Sequence, residues 1–142
     1  MRVVYIVGFV FAFASCQGIE TADSLSKTDM NRLRTLNLIE EDEKLLKFYS
    51  EFKKSTAGNF YTDKRMAKYW IDDRNSLKDQ LHSAFYHEIK SIDTVYYAGL
   101  TYAPYMLVTK KDNTRFKVCV EGTREEIRLF FEDALKQWDR KK

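Results

Sequence analysis

Residues 105–120, YMLVTKKDNTRFKVCV, decide the fold class. Tyr105-Met106-Leu107-Val108-Thr109 is rich in β-branched and aromatic residues, which fit a pleated, half-buried surface. Lys110-Lys111-Asp112-Asn113-Thr114 is a polar turn, and beyond it Phe116, Val118 and Val120 alternate with Lys117, Cys119 and Glu121. Period-two alternation on the far side of a polar turn predicts an antiparallel hairpin with one buried face. Cys119 then points away from the Phe116, Val118 and Val120 face.

Downstream, Thr123 and Glu126 have the form of a capping box, in which each side chain accepts from the other residue's backbone N–H. Ile127, Phe130, Phe131, Ala134, Leu135 and Trp138 follow as a broad apolar stripe, so a C-terminal helix is predicted. Upstream, Thr94-Val95-Tyr96-Tyr97 suits a further strand. Before residue 91 the spacing turns helical. Leu45, Leu46, Phe48, Tyr49 and Phe52 suggest one helix, and Met66, Tyr69 and Trp70, behind a Thr62 or Asp63 cap, suggest a second. Leu77, Leu81, Ala84, Phe85 and Ile89 suggest a third behind Ser76. The expected fold is α+β: two to three N-terminal helices, a small antiparallel β-sheet or hairpin, and a C-terminal helix packed on it. Trp70 and Trp138 are expected in the core.

With 142 residues, 44% of them hydrophobic, the chain suffices for one domain. Its net charge of +3 offers no single-sign field to draw in nucleic acid, which is therefore not an expected partner. Chemistry-bearing patterns are scarce. His82 and His87 lie five residues apart, which on a helix turns them roughly 140° from each other and rules out a shared metal there. The neighbouring acids Asp72, Asp73 and Glu88 form no spaced motif, and Cys119 reads as a small, partly buried apolar residue. No glycine-rich phosphate loop, nucleophile elbow or metal-ligand pair occurs, so no catalytic residue, cofactor or metal is expected. Tyr96, Tyr97, Tyr102 and Tyr105 crowd around Gly99 and Pro104. Tyrosine gives large amphipathic contact area at low entropic cost, which makes Tyr97, Tyr102 and Tyr105 the candidate contacts to a protein or small ligand.

At the other end, Met1-Arg2 precedes an uncharged apolar run, Val3 to Ala14, of about twelve residues. That is the anatomy of an export signal and falls short of the roughly twenty residues a spanning helix needs. The run closes as Phe13-Ala14-Ser15-Cys16, which resembles the lipobox of bacterial lipoproteins, with Phe13 where that family has an aliphatic residue. The resemblance implies a signal peptide over 1–16 and lipid, palmitate included, on Cys16. It further implies an exported protein held to the bacterial cell membrane or outer membrane by its lipid anchor. An ordinary secretory signal cut between Cys16 and Gln17 is the other reading.

Residues 17–36 are polar and read as a flexible tether, with a single domain over 37–142. A second resemblance lies here. Asn31-Arg32-Leu33-Arg34, with the acidic run containing Glu40 and Glu41, is similar to the translocation motif of oomycete RxLR effectors, with Asn31 in place of the first arginine. It implies a secreted protein that enters host plant cells and suppresses defence. That family's core is all-helical, against which the predicted hairpin counts.

Overall fold

The structure, a computed structural model, describes residues 18–142. The expected mixture of helix with antiparallel sheet is present, and so is the C-terminal helix, but the three helices expected between residues 37 and 89 are not. In their place β1 (Leu45–Tyr49), β2 (Ala57–Thr62), β3 (Arg65–Trp70) and β4 (Gln80–Phe85) form one antiparallel sheet in chain order. A second sheet holds β5 (Ile89–Val95), β6 (Tyr105–Lys110) and β7 (Arg115–Cys119), also in chain order. Among the described residues the α-helices are α1 (Lys27–Thr35) and α2 (Arg124–Lys141).

The misreading has a physical cause. The first sheet is covered on both faces, and every residue of β2 is buried. A strand buried on both sides carries a continuous apolar run instead of an alternating one, and the run then scores by chance against a helical template. Register assigns the faces. Phe48, Phe60 and Ala67 lie opposite one another on one face, where Leu25, Leu33, Leu38 and Ile39 complete a core. Tyr61, Met66 and Ala84 line the other face, packed with Met106, Val108, Val118, Phe130 and Phe131. The apparent third helix was chance spacing: Leu77 lies in a 3-10 turn with 93% of its surface exposed.

The predicted hairpin is present as β6 and β7, with Phe116, Val118 and Val120 buried and the polar turn at 111–114. The Thr123–Glu126 capping box also forms, the Thr123 N–H donating to Glu126 Oε2 at 2.7 Å and the Glu126 N–H to Thr123 Oγ1 at 3.2 Å. Trp138 is partly buried against the larger core, but Trp70, expected inside, is 37% exposed on the end of its strand.

The tether expected over 17–36 is corrected too. Glu20 and Phe48 exchange both backbone hydrogen bonds, at 2.7 and 2.8 Å, so the chain joins the edge of the first sheet at Glu20. Ser26 and Asp29 form a capping box at the start of α1, Leu33 turns into the core, and Asn37, at φ 56°, ends the turn. The segment is polar in composition, yet Leu25 and Leu33 are buried in the core that covers this face of the first sheet.

Inside the doubly covered sheet Asn59, Thr62 and Arg65 find polar partners within the protein, whereas the buried Tyr61 hydroxyl has none among the described residues. Asn59 Nδ2 donates to Glu51 at 2.6 Å and its Oδ1 accepts from the Cys119 N–H at 2.9 Å, which joins the two sheets. The Arg65 guanidinium meets the fully buried Glu43 carboxylate at 2.7 and 2.9 Å, and Thr62 Oγ1 donates to the same carboxylate at 2.6 Å. Leu33→Ala tests whether α1 belongs to the fold. Unfolding in urea is expected to show a loss of about 2–5 kcal/mol, as for a buried leucine; a loss under about 0.5 kcal/mol, ordinary for a surface substitution, would return the segment to a tether.

Candidate functional site

The order of the second sheet leaves β5 at its edge, next to α2. The capping box fixes where α2 begins. From there Phe130 and Phe131 turn inward, while Arg124, Ile127, Arg128 and Glu132 recur at helical spacing along a face shared with Tyr96 and Tyr97. Beyond the end of β5, the Tyr96 ring leans on Phe131 with centroids 5.0 Å apart, and Tyr97 follows, exposed. Between these walls runs a groove of about 450 Å³, lined by Tyr96, Tyr97, Arg124, Ile127, Arg128 and Glu132.

Its charges are unequally committed. Arg128 is bracketed on α2 by Glu125 at 2.5 Å and Glu132 at 2.8 Å, and Arg128 holds the Glu125 carboxyl below its ordinary range. Arg124 has no ion-pair partner among the described residues and stands at the groove's end as an available cation. The wall offers aromatic faces, phenol hydroxyls, one apolar side chain and that guanidinium. Histidine and cysteine are absent from it, so the arrangement is equipped to bind through packing, hydrogen bonds and one charge.

Of the three tyrosines singled out from sequence, Tyr97 alone lines the groove. Tyr102 is exposed in the connection between β5 and β6. Tyr105 sits on β6 with Lys117 Nζ 4.3 Å from its ring centre, on the face of the second sheet opposite Val108 and Val118. Tyr96, Arg124, Arg128 and Glu132 were missed. The spacing of four from Arg124 through Arg128 to Glu132 was the available signal for a second functional face on α2, obscured by the stronger apolar stripe beside it.

The other sequence candidates scatter. Cys16 lies outside the described residues. Leu33 of the Arg32-Leu33-Arg34 stretch is core, Arg32 Nε donates to the Ser55 carbonyl at 3.2 Å, and Arg34 reaches Asn31 at 3.3 Å. Glu40 pairs with Lys64 at 3.2 Å, and Glu41 is exposed. Cys119 is half-buried, and burial pushes its thiol above the ordinary value, away from reactivity. Among the described residues no group of three His, Cys, Asp or Glu side chains could hold a metal ion, and no helix is long and apolar enough to cross a membrane.

No protein-family model and no curated protein matches the chain. Among solved structures, it is similar to a DUF1696 family protein with a pleckstrin-homology domain from Shewanella loihica PV-4. Identity is 15%, over 80% of this chain and 97% of that one, with a TM-score of 0.46.

The histidines, expected on one helix, lie on β4 (His82) and in the 3-10 turn after it (His87). His82 stacks on Phe116 with ring centres 5.8 Å apart, and burial, with Lys68 opposite, holds its pKa below the usual 6.5. The folded protein therefore resists a proton that the unfolded chain accepts. Stability is full above about pH 6.5 and is lost as the pH falls below it. Urea midpoints measured between about pH 7.5 and 5 should decline toward acid, and His82→Gln should flatten that decline; parallel profiles for the two proteins would remove His82 as its source.

Proposed function

We propose that this chain is an exported lipoprotein, acylated on Cys16, whose domain stands directly at a bacterial membrane and binds an extended protein segment without transforming it. The observation that carries the reading is the sequence Phe13-Ala14-Ser15-Cys16 placed immediately ahead of a domain that starts pairing at Glu20. A cysteine carrying several acyl chains gives stable anchoring, whereas a single chain gives only reversible binding.

The groove supports the binding half of the reading. An edge strand presents free backbone donors and acceptors, and an extended segment can use them while its side chains enter an adjoining pocket. Here the pocket is lined by Tyr96, Tyr97 and Ile127 with Arg124 at its end. The segment that fits carries an apolar side chain for the tyrosine wall and a carboxylate for Arg124.

Two measurements test the two halves. The native chain expressed in a bacterium is expected to start at Cys16, carry acyl mass and partition with membranes, whereas Cys16→Ser is expected to remain unacylated. An unmodified, soluble native protein would end the lipoprotein reading. Separately, panning a phage-displayed random peptide library on the Cys16→Ser protein should enrich acidic, apolar peptides. Tyr97→Ala with Arg124→Glu should weaken their binding by roughly 2–4 kcal/mol, the loss of an aromatic contact and a charge pair. Peptides that bind the double variant equally well, or none enriched at all, would remove the groove as the binding site.

A further inference from the structure

We infer that the end of the four-stranded sheet carrying Phe52, Trp70 and Leu77 is a docking surface for the lipid bilayer that anchors Cys16, an inference that rests on the lipoprotein reading. In a sheet that follows chain order the connections alternate between its two ends, so the β1–β2 and β3–β4 connections share one. At that end Phe52 is 52% exposed, Trp70 37% and Leu77 93%, with Leu81 exposed at the start of β4. The Phe52 and Trp70 rings touch, their centres 6.2 Å apart. Single exposed apolar residues are ordinary on protein surfaces; several large ones at one end mark a contact.

The path of the chain says what the contact is with. Glu20 pairs antiparallel with Phe48 on β1, so going from Glu20 back to Gly18 leads toward the β1–β2 connection. Lys54 in that connection binds Glu20 at 2.6 Å, tying the two together. Cys16 is two residues before Gly18, within about 7 Å of extended chain. Lipid on Cys16 thus emerges at the end of the domain where Phe52, Trp70 and Leu77 are exposed.

The charges at this end are mixed, so the apolar side chains and the path of the chain carry the proposal. Lys53, Arg74 and Lys78 lie in these connections. Asp72 and Asp79 accept from loop backbone N–H groups at 2.9 and 2.8 Å, Glu51 accepts from Asn59 at 2.6 Å, and Asp73 is exposed beside them. Cations and indole rings are the side chains that settle at the level of lipid headgroups. Anchor and patch together would hold the domain at one angle to the membrane.

The test supplies the anchor chemically, so that it does not depend on natural acylation. Protein beginning at Cys16, with Cys119→Ser, is coupled through Cys16 to a maleimide lipid in phosphatidylethanolamine–phosphatidylglycerol vesicles that also carry a nitroxide at headgroup depth. Trp70 fluorescence is expected to be quenched, with a Trp70→Phe protein giving the contribution of Trp138. Phe52→Ser with Leu77→Ser, both exposed positions, should keep the circular dichroism and melting temperature while lowering the docked-to-free ratio about tenfold or more. Unquenched Trp70 in the coupled protein, or equal quenching in the variant, overturns the proposal. So does sedimentation showing a dimer that Leu77→Ser dissolves, which would make the patch a contact between copies.

Discussion

Burial of β2 on both faces is the constraint from which the rest of the structure follows. A strand without access to water needs its side-chain polar partners within the protein, a demand that Asn59 and Thr62 meet and the Tyr61 hydroxyl does not, and it leaves little room where two layers meet its backbone. Gly58 shows the second demand: a Cβ there would fall 2.7 Å from the Phe48 ring and closer still to the Tyr69 ring. Asn59 and Thr62 show the first. Asn59 spends its amide on Glu51 and the Cys119 backbone, and Thr62 joins the Glu43–Arg65 pair. A buried ion pair is weak evidence of net stabilisation, because desolvation offsets much of the attraction. Its geometry is nevertheless specific. Arg65 is held between Glu43 and the face of the Phe85 ring, 4.1 Å from its centre, which fixes how β3 and β4 meet the segment before β1.

Covering two faces requires two covers, and the covers create the surfaces with functional potential. The inner cover is the second sheet with α2. With three strands in chain order it leaves β5 at an edge, and α2 forms a groove with Tyr96 and Tyr97, the two residues that follow β5. The outer cover is the stretch from Glu20 to Ile39. Because it begins with a bridge from Glu20 to Phe48 on β1, the polypeptide enters at a defined end of the sheet. Groove and entry point are thus both consequences of how β2 is buried.

What the sequence disclosed follows the same division. The β6–β7 hairpin and α2 were legible because each has a wet face, which preserves alternation in one and an apolar stripe in the other. Strands β1 to β4 were illegible as strands: β2 and most of β3 are buried continuously, which erases the period-two signal, β4 is largely exposed or half-buried, and the residues 45–52 and 76–89 matched a helical spacing by accident. Helix α1 was hidden by composition, since Leu25 and Leu33 are too few to mark an amphipathic stripe; the Ser26–Asp29 pair, which forms its capping box, was the local signal available for it. The groove was half legible. A cluster of tyrosines pointed at Tyr97, but the opposite wall comes from a helix some thirty residues away, and only the packing of Tyr96 on Phe131 brings the two together.

Loss of the expected tether changes the mechanics of the proposed anchored state more than any other correction. Twenty flexible residues would place a domain about 25 Å from its anchor on average and leave its orientation free, as for a random coil. Two residues allow about 7 Å, less than the thickness of the domain itself, so one end must rest on the lipid whether or not it attracts it. The end so constrained is the one bearing Phe52, Trp70 and Leu77. A hydrophilic tip would pay for that proximity in lost hydration, whereas an apolar one gains from the same geometry. Short anchor and apolar tip are therefore mutually consistent requirements of one arrangement, and a segment bound along β5 and α2 would be met at a fixed height above the membrane.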